Sequence, residues 1–159
     1  MENQPTVFEG SVLAQWIDYN GHMNDACYVS VFSQAIDAFM DCIGLNERFR
    51  SEQQLSIYTL QSVVHYLQEV GEGERLEVLA HVLEHDSKKI RLFLTMHHGI
   101  SRARLATMET LLLHVDMSVR RAAALRAETL DKLQTLANQQ SSLEWPAEAG
   151  RGVSLQKRN

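Results

Sequence analysis

The sequence predicts a single α+β domain in which an antiparallel sheet wraps around one long central helix. Three observations predict it. The run from Ala26 to Ile43 is almost wholly apolar, four strand-like runs fill residues 56–118 with short turns between them, and Ala122–Ala137 is amphipathic. At 159 residues the chain fits one domain, a size at which roughly two-thirds of the unfolded surface becomes buried. A composition of 45% hydrophobic and 22% charged residues argues against disorder.

Residues 6–17 are rich in β-formers and read as a first strand broken at Gly10. They lead into Asp18-Tyr19-Asn20-Gly21-His22-Met23-Asn24-Asp25-Ala26-Cys27-Tyr28, where a charged, Gly-turned loop meets the helix. Within the helix the polar positions are Ser30, Ser33, Gln34, Asp37 and Asp41, one narrow stripe at helical spacing, so the helix is expected to be nearly surrounded by protein. Gly44 supplies the stop. Residues 56–70, 74–86, 88–98 and 102–118 alternate as strands, with hairpin-length connections at 71–73, 86–87 and 99–101, which predicts a meander. Leu125, Thr129, Leu133 and Leu136 share one face of the closing helix. The domain is taken as 1–140, and 141–159, with Pro146, Gly150 and Gly152, as a loosely attached extension.

The loop is where chemistry is expected. A helix start leaves about four N–H groups without intrahelical partners and carries roughly half a positive charge, so it can hold a carbonyl oxygen that is becoming an oxyanion. Asp18 stands one turn away as base or nucleophile. The bland alternative is that Asn24 or Asp25 merely caps the helix.

The whole run resembles the D-x-x-G-H-(V/M)-N-x-x-x-Y signature of hot-dog-fold acyl-CoA thioesterases, the 4-hydroxybenzoyl-CoA thioesterase-like group, with Asp18, Gly21, His22, Asn24 and Tyr28 in register. The resemblance implies the hot-dog fold, with the central helix as the sausage in a bun of strands. It implies that Asp18 attacks the thioester carbon or activates a water, and that the backbone N–H of Asp25 polarises the thioester oxygen. The family often has a second Asn where this chain has Asp25; the backbone donor is unaffected. His22 takes a loop-ordering or substrate-contact role, with Asn24 and Tyr28 beside it. Related proteins place the site between subunits, which implies a homodimer or homotetramer. Asp-Tyr-Asn-Gly-His-Met further resembles the thioesterases that accompany carnitine and betaine degradation, whose substrate is betainyl-CoA.

Outside the loop, alternation places Glu109 in an apolar row with Leu105, Thr107, Leu111 and Leu113. A carboxylate there costs several kcal/mol unless it is paired or protonated. Facing inward, it would orient water beside Asp18 or balance a cationic acyl group; a β-bulge would instead turn it outward. Trp16, Tyr19, Tyr28, Phe32, Tyr58 and Tyr66, several of which flank the loop or the inner helix face, are candidates for holding a quaternary ammonium, or else ordinary filling. Lys88, Lys89 and Arg91 with Arg102 and Arg104 form the main basic concentration and are the first candidates for the CoA phosphates, with Arg151, Lys157 and Arg158 second.

Several classes are excluded. A net charge of -5 gives no nucleic-acid footprint. No window approaches the ~20 apolar residues of a membrane span and the start lacks a signal-like run, so a cytoplasmic protein is expected. Cys27 and Cys42 lie about 22 Å apart on one helix, cannot pair, and are expected in the core. His81 and His85 fall at strand spacing without further ligands, so neither metal nor cofactor is expected. There is no G-x-S-x-G elbow or glycine-rich phosphate cradle. Hydrolysis of a small acyl-CoA thioester leads; the alternatives are a non-catalytic acyl-CoA-binding protein and a hot-dog enoyl-CoA hydratase or dehydratase.

Overall fold

The computed structural model describes residues 3–155. Its elements are β1 (Thr6–Ser11), a 3-10 turn (Ala14–Trp16), α1 (Asp25–Cys42), α2 (Glu47–Gln53), β2 (Leu55–Tyr66), β3 (Arg75–His85), β4 (Lys89–His98), β5 (Arg104–Asp116), β6 (Arg121–Ala122) and α3 (Ala127–Gln139). One antiparallel sheet runs in the order β1-β3-β4-β5-β2, with β6 paired to β5. The sheet cradles α1.

The expected meander holds only for β3-β4-β5. β2 sits at the far edge beside β5, because α1 lies between β1 and β2 in the chain and the two strands take opposite edges of the sheet that straddles it. Residues 71–73 are therefore part of a crossing, not a hairpin. β2 also stops short of residue 70: the N–H groups of Leu67 and Gln68 both end on the Leu105 carbonyl, and the chain then leaves the ladder. Gly10 does not break β1, which pairs through it with Leu76; the irregularity lies between Thr6 and Phe8.

The inner face of the sheet is the even-numbered row, Val78, Ala80, Leu92, Leu94, Met108 and Leu112, packed in one core with Phe32, Ala35 and Phe39 of α1. Phe32 and Phe39 are fully buried; truncating either to Ala would cost about 3–5 kcal/mol. The polar stripe of α1 faces solvent as its spacing predicts, but Val29 beside it is 40% exposed, so within one chain the helix is cradled on one side and not surrounded. Gly44 ends α1 at φ 83, a backbone conformation that favours glycine. Cys27 is half-buried and Cys42 exposed, both unpaired, so Cys42 is no core residue.

Two elements differ from the sequence expectation. α2 was not anticipated; Asn46 caps it by accepting the Phe49 N–H at 2.9 Å. α3 begins at Ala127 and not Ala122, because Arg121–Ala122 pairs with Val115–Asp116 as β6. Gln140, just past α3, accepts the Val82 N–H and donates to the Ala80 carbonyl. It satisfies the β3 edge where β1 has run out.

The described part of the C-terminal extension is docked, not loose. Glu148 takes both Arg104 Nη1 and Nη2, at 3.2 and 2.7 Å, Trp145 lies 5.0 Å from the Arg91 guanidinium, and the Gly150 N–H donates to Glu109. The segment lies on the outer face of the sheet, where His81, Phe93 and Thr107 are buried. Among the described residues no single helix is long and apolar enough to cross a membrane, and no group of His, Cys, Asp or Glu is placed to hold a metal ion.

Candidate active site

The loop is shaped by backbone bonds that its sequence specifies. Ile17 and Met23 close its base as an antiparallel bridge. Within it the Gly21 N–H donates to the Asp18 carbonyl at 3.0 Å, and the Asp18 N–H to His22 O at 3.1 Å. Asp opens such a turn well because its side chain can accept the N–H two residues on, and Asp18 Oδ1 does accept the Asn20 N–H at 2.8 Å. Gly21 closes it at φ 78, where a Cβ would meet no atom, so glycine is needed there for its backbone and not for space. The loop is then pinned to the body: Met23 N–H donates to Val70 O at 2.9 Å and Asn24 N–H to Trp16 O at 2.8 Å.

Asn24 is the N-cap of α1 and accepts the Ala26 N–H at 2.9 Å. The capping reading is thus correct, but the same side chain does more: its Nδ2 donates to Asp18 Oδ2 at 3.2 Å. The Asp25 N–H, the first of the helix, has no acceptor among the described residues, whereas the Ala26 N–H is taken by Asn24 and Asp25 oxygens. An unpaired N–H at a helix start beside a carboxylate is the geometry that polarises a carbonyl while it is attacked.

These groups line a cleft of about 630 Å³ whose other wall is the end of β2 and the segment after it, Tyr66 to Glu69. The Tyr66 hydroxyl donates to the Asp25 carbonyl at 3.1 Å, tying the helix start to that wall. Tyr28 and Tyr66 meet edge to face, with ring centroids 5.3 Å apart at 88°, and the Tyr28 hydroxyl donates to Gln68 O at 3.2 Å. Burial, with Glu69 and the neighbouring phenol for Tyr28 and with Asp25 for Tyr66, pushes both phenols above their ordinary value, so they remain protonated donors. Burial, with Asp25 and Asp18, likewise pushes the Cys27 thiol up, which disfavours its thiolate. His22 stands 3.7 Å from Glu69 across the mouth.

Of the residues expected from sequence, Asp18, Tyr19, His22, Asn24, Asp25 and Tyr28 line this one cleft. Trp16 does not; it serves the loop through its carbonyl. Glu109 does not either. Its row in β5 is the outer one, facing away from α1, where Glu109 accepts Arg91 Nε at 2.5 Å and the Gly150 N–H at 2.6 Å. Of the two readings the alternation left open the inward one fails, and Glu109 faces outward with its whole row and not through a β-bulge, because both faces of this sheet are covered. Arg91 is occupied by Glu109, Glu84 and Trp145 on the same face. Arg102 pairs with Glu77, and Arg104 with Glu148. Lys89 lies opposite Leu113, eight residues along β5 from the Leu105 carbonyl that anchors the cleft wall. At ~3.3 Å per residue, Lys88 and Lys89 are therefore about 26 Å from the cleft within one chain. Lys157 and Arg158 lie outside the described residues. Sequence reasoning missed Gln68 and Glu69, although the loss of alternation after Tyr66 marks the point where the chain turns from ladder to wall.

The thioesterase-like superfamily model matches residues 12–133. The chain belongs to that superfamily. It is 39% identical over 150 residues to the betainyl-CoA thioesterase of Pseudomonas aeruginosa PAO1, with 94% of each chain covered. A crystal structure from Pseudomonas putida KT2440 is 34% identical with a TM-score of 0.84 over 97% of this chain and 98% of that one. A Staphylococcus aureus protein solved in complex with CoA shares the fold at a TM-score of 0.89 and 24% identity, covering 96% and 97% of the two chains. The architecture is the hot-dog fold, and acyl-CoA thioester hydrolysis is the reaction of this thioesterase.

Proposed function

We propose that the acyl group is betainyl, a trimethylammonium acetyl, and that the cleft beside Asp18 receives it. The observation that carries this reading is the charge of the cleft: it is lined by Asp18, Asp25 and Glu69, with His22 as the sole basic side chain, and by Tyr19, Tyr28 and Tyr66. Three carboxylates and no Lys or Arg disfavour an anionic acyl group, whereas a quaternary ammonium is stabilised by aromatic faces and nearby negative charge. The naming of the Pseudomonas aeruginosa relative supports the same choice.

In this reading the thioester oxygen lies on the Asp25 N–H at the start of α1. Asp18 takes the proton from a water that attacks, or supplies the attacking oxygen itself; the C–S bond breaks and the thiolate leaves, protonated by solvent, and in the second case a water then hydrolyses the acyl–Asp18 anhydride to release the acid and restore the carboxylate. The CoA phosphates lie toward Arg102 and Arg104, in and after the turn entering β5 at the pocket end of the sheet, and would compete there with Glu77 and Glu148 for the two guanidiniums. The assembly is a homodimer or homotetramer joined along β2, whose free edge carries Tyr58 and Leu60, 44% and 51% exposed. Sedimentation of a stable, active monomer at micromolar concentration would contradict the assembly.

The test of the acyl group is thiol release by purified protein from betainyl-CoA and from 3,3-dimethylbutanoyl-CoA, its neutral isostere. A desolvated cation–π site worth about 2 kcal/mol gives a preference of roughly thirtyfold for the cation. Equal rates, or faster cleavage of the isostere, would remove betaine and leave a small-acyl thioesterase.

A further inference from the structure

We propose that Asn24 is a positioning residue for Asp18, its carboxamide serving at once as helix cap and as the arm that aims the reacting carboxylate. Its Oδ1 is committed to the Ala26 N–H at 2.9 Å. That bond fixes the plane of the amide, so the Nδ2 end must point the other way, and Asp18 Oδ2 lies there at 3.2 Å. The backbone of Asn24 is equally fixed, its N–H on Trp16 O at 2.8 Å and its carbonyl receiving the Cys27 N–H at 3.0 Å. Each end of the side chain therefore reads a different part of the site.

Capping alone does not call for asparagine at this position. Ser and Asp start helices about as well. Neither has an N–H donor on the far side of its cap oxygen, and it is this donor that Asp18 uses. The other carboxylate oxygen is held by the Asn20 N–H at 2.8 Å, so Asp18 is gripped at both ends, one grip coming from its own turn and one from the helix that supplies the Asp25 N–H. Attacking group and carbonyl-polarising donor are in this way registered against each other through one side chain. A shift of about 1 Å between two such groups costs about a hundredfold in rate.

The inference rests on Asp18 being the reacting carboxylate, and the experiment separates the two. Asn24→Ser keeps a cap and removes the arm. It should leave the melting temperature and KM near wild type while lowering kcat ten- to a hundredfold, the worth of a hydrogen bond to a charged group. Asn24→Asp also keeps the cap but sets a carboxylate against Asp18, with Asp25 and Glu69 already lining the cleft; kcat should fall at least as far, and the acid limb of the pH–rate profile should move to higher pH. In an Asp18→Asn background, Asn24→Ser should cost nothing further, as expected for two groups acting as one unit. Wild-type kcat and an unmoved pH profile in the two capped variants, with Asp18→Asn inactive, would overturn the positioning role alone. An active Asp18→Asn enzyme would overturn the Asp18 reading first. A kcat loss in Asn24→Ser that persists at full size in the Asp18→Asn background would show that Asn24 acts on something other than Asp18, and would also overturn the proposal.

Discussion

Replacing Tyr66 with Leu should lower the preference for a cationic over a neutral acyl group about fivefold, without abolishing hydrolysis. Tyr66 is 50% exposed and stands edge to face with buried Tyr28 across the cleft from Asp18. A quaternary ammonium over an exposed ring gains about 0.5–1 kcal/mol and over a desolvated one about 2. A half-exposed ring lies between these, at about 1 kcal/mol, which is about fivefold in kcat/KM. Glu69 contributes less, because its side chain is 75% exposed and a screened surface charge is worth about 0.5 kcal/mol, roughly twofold.

Tyr66 also holds the Asp25 carbonyl through its hydroxyl, so Tyr66→Leu disturbs the helix start as well. That loss is common to both substrates and cancels in their ratio. Tyr66→Phe separates the two roles: it should slow betainyl-CoA and 3,3-dimethylbutanoyl-CoA equally and leave the ratio alone. The assay is kcat/KM by thiol release for both thioesters with wild type and both variants. A ratio unchanged in Tyr66→Leu, or changed as much in Tyr66→Phe, would refute the ring as the element that reads the charge.

Asp18→Asn should keep the wild-type melting temperature within a few degrees and lower turnover by about two to four powers of ten; turnover within threefold of wild type would remove Asp18 from the reaction. Glu148→Ala should undock the C-terminal segment, seen as faster cleavage by trypsin at Arg151, with kcat near wild type because the segment lies on the outer face, while KM shifts because Arg104 loses its partner. Its carboxyl is opposed by burial, but the two bonds from Arg104 outweigh this and hold it below the ordinary 4.5; the stabilisation is present above 4.5 and is lost as pH falls through the lower folded value. His81 and His97 are held below 6.5, by burial in both and by Arg104 in addition for His97. The unfolded chain then binds more protons than the folded one below 6.5, so the melting temperature should fall as pH drops from 6.5 toward 5; a flat profile there would contradict neutral buried imidazoles.

What the sequence disclosed and what it hid divide along physical lines. Local signals were legible. Asp at the start of a turn, Gly at its end, Asn before an apolar helical run and Gly after it each specify backbone geometry within a few residues, and Asp18, Gly21, Asn24 and Gly44 stand where those rules put them. Strand existence was legible too, because alternation is a short-range property. Strand order was not: nothing within residues 55–74 distinguishes pairing with β3 from a crossing to β5, since either partner offers the same ladder.

The misplacement of Glu109 has the same origin. Alternation gives two rows per strand but names the inner one only if the other is polar. In β5 neither row is cleanly polar, the even-numbered one carrying Ala106, Met108 and Leu112 and the odd-numbered one Leu105, Leu111 and Leu113, because α1 covers the even-numbered side and the Leu143–Arg151 segment lies against the odd-numbered side. The cover on that second face comes from a Gly- and Pro-containing stretch with no periodicity of its own, so no pattern announced it. Once it is in place the outer face becomes a second dry layer, and Glu109 survives there because Arg91 and the Gly150 N–H occupy its oxygens. Of the carboxylates that line the cleft, Glu69 is the one sequence spacing cannot connect to Asp18, since its wall is brought beside the loop by long-range bonds, Met23 N–H to Val70 O, Tyr28 Oη to Gln68 O and Tyr66 Oη to Asp25 O.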